Sequence, residues 1–388
     1  MVRIPEYIGP MAFGLKMGVI LPGMDIIDKI CESLARCHAD GYLHNKDVVC
    51  VTESVVARAQ NNYVSIDDVA AEITTALNLS SPSRVAVIFP IASRNRFSMI
   101  LKGIARSAAG GSVILQLSFP EDEVGNRVID PLFVEKISKM VITDEDLDGY
   151  TFSHPVTGVD YINYYRSIIQ SEGAEAVIIL SNNPVDVLTY NPDGVIAADI
   201  HQRHLTKRAV TEKFSNCITL DQVCTSGHAY SEWGLLGSNM SAGEKLKLAP
   251  RDCQEIVEGL QKRIKEKMGL LVEVLIYGDG AYLDPSSGIY ELADPKAAFA
   301  ATQGLDCFRE GFKYKYLADI CFYEKEMSVN DIEGAISDKK ASELPGDSIE
   351  REGTTPRRME DVLASLADLV SGSADAGTPV VIIRGFLS

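Results

Sequence analysis

The 388 residues are 46% hydrophobic and carry a formal net charge of −17. So apolar a chain can bury a large core, which excludes wholesale disorder, and so acidic a surface excludes nucleic acid or an anionic membrane as the main partner. A local basic pocket for a small anion stays compatible with it. No run of about 18 apolar residues is present to span a bilayer. The start, MVRIPEYIGP, lacks the basic and apolar regions of a signal peptide, so a cytoplasmic protein is expected. The eight cysteines form no CxxC pair and no zinc-ligand spacing, which predicts buried free thiols.

In chain order, residues 11–21 (MAFGLKMGVIL) read as a strand closed by Pro22-Gly23, and Asp25 caps a helix with an apolar stripe through Ile26, Ile30 and Leu34. VVCVT is a buried strand that runs into Thr52-Glu53-Ser54. Ser65-Ile-Asp-Asp68 resembles a capping box and opens a helix to about Leu77. RVAVIFP (84–90) and SVILQLS (112–118) are further strands, with Ser93-Arg94-Asn95-Arg96 between them. From Phe119 to Tyr150 the chain reads as surface loops and one helix. A helix over 159–170 precedes strands at 176–180 and 194–199. Arg251–Lys267 is an amphipathic helix. Asp331–Gly353 is polar and reads as a solvated or mobile segment. A helix from Pro356 to Gly372 and the strand PVVIIR (379–384) end the pattern, which shows no regular strand–helix–strand rhythm and no repeat.

LVEVLIYGDGAYLDP (271–285) is a β-branched strand halted by Gly278-Asp279-Gly280. An acid at such a strand end is placed either to hold a divalent metal against phosphate oxygens or to cap its own turn. Ser238-Asn239 follows a glycine-containing turn, and Gly372–Gly377 precedes the last strand. Polar residues gathered at strand ends make a cleft with acceptors for a metal and donors for anions. Arg58, Arg94, Arg96, Arg203 and Arg384 are candidates for phosphate or carboxylate, although each taken alone reads first as a surface or ion-pair residue. NPVDVLT (183–189) resembles a lactate or malate dehydrogenase segment. No GxGxxG accompanies it, and neither a P-loop nor GxSxG occurs, which removes those readings.

Three stretches resemble the coenzyme F-420-0:L-glutamate ligase (gamma-glutamyl ligase) family, here as a longer, divergent bacterial-type member. They are PGMDIIDKICESL with KDVVCVTESVVARAQ (22–60), GLLGSNMSAGEKLKLAPRDCQEIVEGLQKRIKEKMGLLVEVLIYGDG (234–280), and LADLVSGSADAGTPVVIIRG (366–385). The resemblance implies an amide-forming ligase that uses GTP (or ATP) with Mg2+ or Mn2+, and K+ as a further ion, to join L-glutamate to a substrate carboxylate through an acyl phosphate. It implies a homodimer. Asp279 falls on the family's strand-end metal ligand, Ser238 and Asn239 on its Ser-Asn, and Arg58 on a basic position near the nucleotide. The family's acids correspond to Leu236 and Ser373 here, so either Asp375, Glu232 or Asp284 substitutes for them or the number of metals differs.

These readings give an α+β fold with mixed sheets and packed helices: a ligase core at 1–83 and 225–388, and a central insertion at 84–224. The expected catalytic residues are Asp279, Asn239 and Arg96. The nucleotide is assigned to Thr52, Glu53, Ser54, Arg58 and Ser238, and the metal to Asp279, Asp375 and Glu232. The alternative is a non-catalytic relative that binds a nucleotide or metabolite and has lost its metal ligands.

Overall fold

The computed structural model describes residues 7–280, 282–283, 290–309, 311–341, 348–351, 356–372 and 377–387. Its α+β architecture rests on two main sheets, one of five strands and one of six. In the five-stranded sheet the order is Met11–Leu15, Val380–Arg384, Val48–Thr52, Glu273–Tyr277, Ala298–Ala301. Val48–Thr52 and Glu273–Tyr277 run parallel; the other pairs are antiparallel. Strand alternation sorts the side chains by face. Val49, Val51, Val274 and Ile276 pack with Ile30, Leu34, Val257 and Leu260 of two helices, Ile26–Ala39 and Cys253–Met268. Val48, Cys50, Leu275 and Tyr277 face Leu363 and Ala364 of Met359–Ala367. Each large aliphatic side chain buried this way contributes roughly 1.5–3 kcal/mol.

The six-stranded sheet comes entirely from residues 84–219. Its order is Val141–Thr143, Glu175–Ser181, Ser112–Leu117, Arg84–Ile88, Gly194–Ala197, Cys217–Thr219. All neighbours are parallel except the edge strand Val141–Thr143. Numbered along the chain, the parallel strands lie 3-2-1-4-5. This is a doubly wound order whose direction reverses between Arg84–Ile88 and Gly194–Ala197. The absence of strand–helix–strand rhythm expected above is therefore corrected for this region. The long irregular stretch between the second and third parallel strands hides the rhythm in sequence. Helices Ile66–Ala76, Ser98–Ser107 and Tyr161–Ser171 cover one face, and Arg203–Thr211 lies on the other.

Ser65 and Asp68 form the reciprocal capping box expected of them. The segment expected to be solvated instead holds a helix, Val329–Ala341. Its Ile332 and Ile336, one turn apart, pack on Leu317 and Cys321. All eight cysteines are free, seven of them buried and Cys307 exposed. Among the described residues no helix is long and apolar enough to cross a membrane.

Candidate active site

Parallel pairing sets Thr52 opposite Tyr277, so both strands end at the same edge of the five-stranded sheet. Immediately past those ends lie Glu53, which opens the helix Glu53–Ala59, and Gly278-Asp279-Gly280. Gly278 is required by crowding: a Cβ there would run into the Asp294 carboxylate and the Phe299 ring. Asp294 reaches this point from the segment before Ala298–Ala301. Its side chain is 1% exposed, Oδ2 accepts the Asp279 N–H at 2.8 Å, and Oδ1 accepts from Arg96 Nη1 at 2.6 Å. The other Arg96 nitrogen, Nη2, donates to Asp279 Oδ2. Buried Asp368 accepts the Gly280 N–H at 2.8 Å.

A cleft of about 460 Å³ opens over these groups. The strand–helix junction lines it with Thr52, Glu53, Ser54 and Arg58, the glycine turn with Asp279, and the six-stranded sheet with Asn95 and Arg96. A three-stranded ribbon adds Asn239 and Lys247. Lys247 Nζ donates to both oxygens of buried Glu53, at 2.9 and 2.8 Å. A second cavity of about 350 Å³ shares Thr52, Ser54 and Arg58 and also touches Tyr277, whose buried Oη has no hydrogen-bond partner among the described residues.

The electrostatics follow from burial. Asp279 is pushed up to about 6, first by desolvation and then by Asp294, although Arg96 pulls it back. Burial also raises Glu53, against the pull of Lys247. Arg96 is desolvated too, yet Asp294 and Asp279 outweigh that cost and hold it firmly cationic. Arg58 is exposed and makes no ion pair among the described residues, so its fork is free for an anion.

Of the expected residues, the structure brings Thr52, Glu53, Ser54, Arg58, Arg96, Asn239 and Asp279 together. It does not bring Ser238 or Glu232. Ser238 is buried behind the cleft, its Oγ without a hydrogen-bond partner among the described residues, beside Leu236, which is a core residue. Glu232 is exposed, and its Oε1 accepts the Asp252 N–H at 2.9 Å. Asp375, Ser373 and Asp284 lie outside the described residues. Arg384 is spent on buried Asp47 and Arg203 on Asp221. The missed residues are Asp294 and Asp368. Asp294 precedes Pro295 in a stretch without periodicity, and Asp368 sits in what reads as an ordinary helix end; only the motif LADLVSG marked its neighbourhood.

Among the described residues no three His, Cys, Asp or Glu side chains converge to cage a metal. Asp279 and Asp294 fit a different kind of site. A magnesium-type ion is commonly held by one or two carboxylates and completed by phosphate oxygens and water. Asp279 Oδ1 has no hydrogen-bond partner among the described residues and is available for that role.

The family model described as F420-0:gamma-glutamyl ligase matches residues 14–385. No curated protein matches the chain.

Proposed function

The chain belongs to the F420-0:gamma-glutamyl ligase family, and on that premise we propose a nucleotide- and metal-dependent ligase that adds L-glutamate, or another amino acid, to a carboxylate of a small anionic substrate. The observation that carries the reading is the convergence of Thr52, Ser54, Arg58, Arg96, Asn239 and Asp279 on one cleft. Such convergence is what transfer between two anions and an amine requires.

In the first step the substrate carboxylate attacks the γ-phosphorus of GTP or ATP. The bond to the β–γ bridging oxygen breaks, leaving a nucleoside diphosphate and an acyl phosphate. The uncharged amine of glutamate then attacks the acyl carbon, inorganic phosphate departs, and the amine proton is lost to solvent. A bound Mg2+ or Mn2+ supplies charge neutralisation on the phosphoryl oxygens. Asp279, with Asp294 behind it, would hold that ion. Arg58 pairs with phosphate or carboxylate through its unspent fork. Thr52 and Ser54 offer hydroxyl donors. Asn239 accepts from Asn95 through Oδ1 at 2.7 Å and donates one amide N–H to the Gly237 carbonyl at 3.4 Å, which leaves its other N–H for a ligand oxygen. The cytoplasmic setting, the homodimer and a K+ requirement belong to the same proposal.

The test is incubation of the purified chain with GTP or ATP, Mg2+ or Mn2+, glutamate and a broad panel of carboxylate acceptors. Acceptor-dependent phosphate release together with an amide product supports the ligase. Nucleotide binding with no release across the panel replaces it with a non-catalytic binding protein.

A further inference from the structure

Arg96 enters the cleft from the six-stranded sheet, on the loop after Arg84–Ile88, and that loop is held stiffly. Ala92 N–H donates to buried Asp122 at 2.6 Å. Ser93 N–H donates to the hydroxyl of fully buried Tyr165 at 2.9 Å, and that hydroxyl donates to the Ile91 carbonyl at 2.7 Å. Arg96 N–H donates to Ser93 Oγ at 3.2 Å. Asn95 then stitches the loop to the ribbon opposite: its carbonyl accepts the Met240 N–H at 2.7 Å. The guanidinium thus arrives pre-placed, with one nitrogen on Asp294 and the other on Asp279.

Two carboxylates this close, one of them almost fully buried, require a positive charge between them or a shared proton. Both Asp294 oxygens are already engaged, one by the Asp279 N–H and the other by Arg96. We propose that Arg96 is a resident cation: it supplies at the Asp279–Asp294 pair the charge that a divalent ion would otherwise supply, and a metal approaching Asp279 from the cleft competes with it. The cleft then takes its metal with the nucleotide, on the open Oδ1 of Asp279. The proposal concerns the same site as the ligase reading, but it is about metal affinity and not amide synthesis, so each fails separately.

The experiment is Mn2+ titration of the purified full chain, without nucleotide, followed by electron paramagnetic resonance. Arg96→Met is expected to bind Mn2+ at least about tenfold more tightly than wild type, because a unit charge has been removed beside the ligand. Adding Asp294→Asn to that variant is expected to return the affinity toward wild type. Arg96→Lys, which keeps the charge but cannot span both carboxylates, should fall between, and it serves if Arg96→Met does not fold. Mn2+ should also raise the melting temperature of Arg96→Met more than that of wild type at equal ionic strength. If neither Arg96 variant binds Mn2+ more tightly than wild type, or if Asp294→Asn changes nothing, the proposal is overturned. Tighter Mn2+ binding with no acceptor-dependent phosphate release sinks the ligase reading alone, and the converse pattern sinks only this one.

Discussion

Replacing Lys247 by methionine isolates the cost of one buried charge. Its ammonium lies 2.8 and 2.9 Å from the two Glu53 oxygens, with side-chain exposures of 9% and 7% for the pair. At an effective dielectric of about 20, contact at that distance is worth roughly 6 kcal/mol, most of it offset by the desolvation of both ions. Removing the ammonium alone keeps the Glu53 penalty and loses the attraction, which typically costs about 3–5 kcal/mol. With an unfolding entropy of about 2.1 cal/mol/K per residue over the whole chain, that corresponds to a drop of roughly 4–6 °C in melting temperature. The loss has a pH signature. Burial raises the Glu53 carboxyl in the folded state. In the variant the folded protein therefore prefers the protonated acid, and its deficit shrinks as pH falls toward 4. Glu53→Gln added to Lys247→Met removes the orphaned charge and should recover about half of the loss or more. Thermal melts of wild type, single and double variants at several pH values measure all of this. A single-variant loss under about 1 °C, or a double variant no more stable than Lys247→Met, would refute the reasoning.

Arg58→Ala should weaken GTP or ATP binding by about 10- to 100-fold, the scale of one or two charge-assisted hydrogen bonds, while leaving the melting temperature within about 1 °C, since the guanidinium stabilises nothing else. Calorimetric titration decides it, and unchanged affinity removes Arg58 from the binding site. Asp199 is buried, its Oδ1 has no hydrogen-bond partner among the described residues, and it is pushed up to about 7 by desolvation and Glu123. Its ionisation is thus penalised in the fold, so stability falls as pH rises from about 4 to about 7 and is level above that. Asp199→Asn should abolish this slope and be more stable than wild type at pH 8 by up to about 4 kcal/mol, with no advantage at pH 4. Parallel melting curves for the two proteins would contradict it.

The strand ends were legible because glycine and β-branched residues leave local signals. VVCVT followed by Glu53 and LVEVLIY followed by Gly-Asp-Gly each announce a strand and its stop, and pairing merely sets them side by side. Asp294 was not legible. Its position depends on the antiparallel return of Ala298–Ala301 beside Glu273–Tyr277, whose register shifts at Ile276/Tyr277, and nothing local encodes that. Glu232 was attractive because it is an acid near Asn239, but sequence proximity carried no information about which way the turn faces. Arg96 could be named, yet what it does rests on long-range packing: the Asn95 and Tyr165 bonds fix its loop from two directions. The doubly wound order was hidden for a related reason. Its strands are short and continuous in hydrophobicity, while the stretch between the second and third parallel strands is irregular and masks the alternation. Val329–Ala341 was missed because two buried isoleucines are too weak a stripe to distinguish a helix from a solvated linker.

The strand Val380–Arg384 lies between Met11–Leu15 and Val48–Thr52. It has consequences for how the chain comes into being on a ribosome. The six-stranded sheet has every strand it needs once residue 219 has emerged, and it can collapse early around its own core. The five-stranded sheet lacks the strand next to its Met11–Leu15 edge until residues 380–384 are available. Its two earliest strands can neither pair through that gap nor bury both faces. The strand that closes it is also the one whose contacts span nearly the whole sequence, the kind that form slowly. The edge that carries Thr52, Glu53 and Asp279 is therefore secured only once residues 380–384 have emerged, and Arg96, placed long before on its finished sheet, waits for the carboxylates it will join.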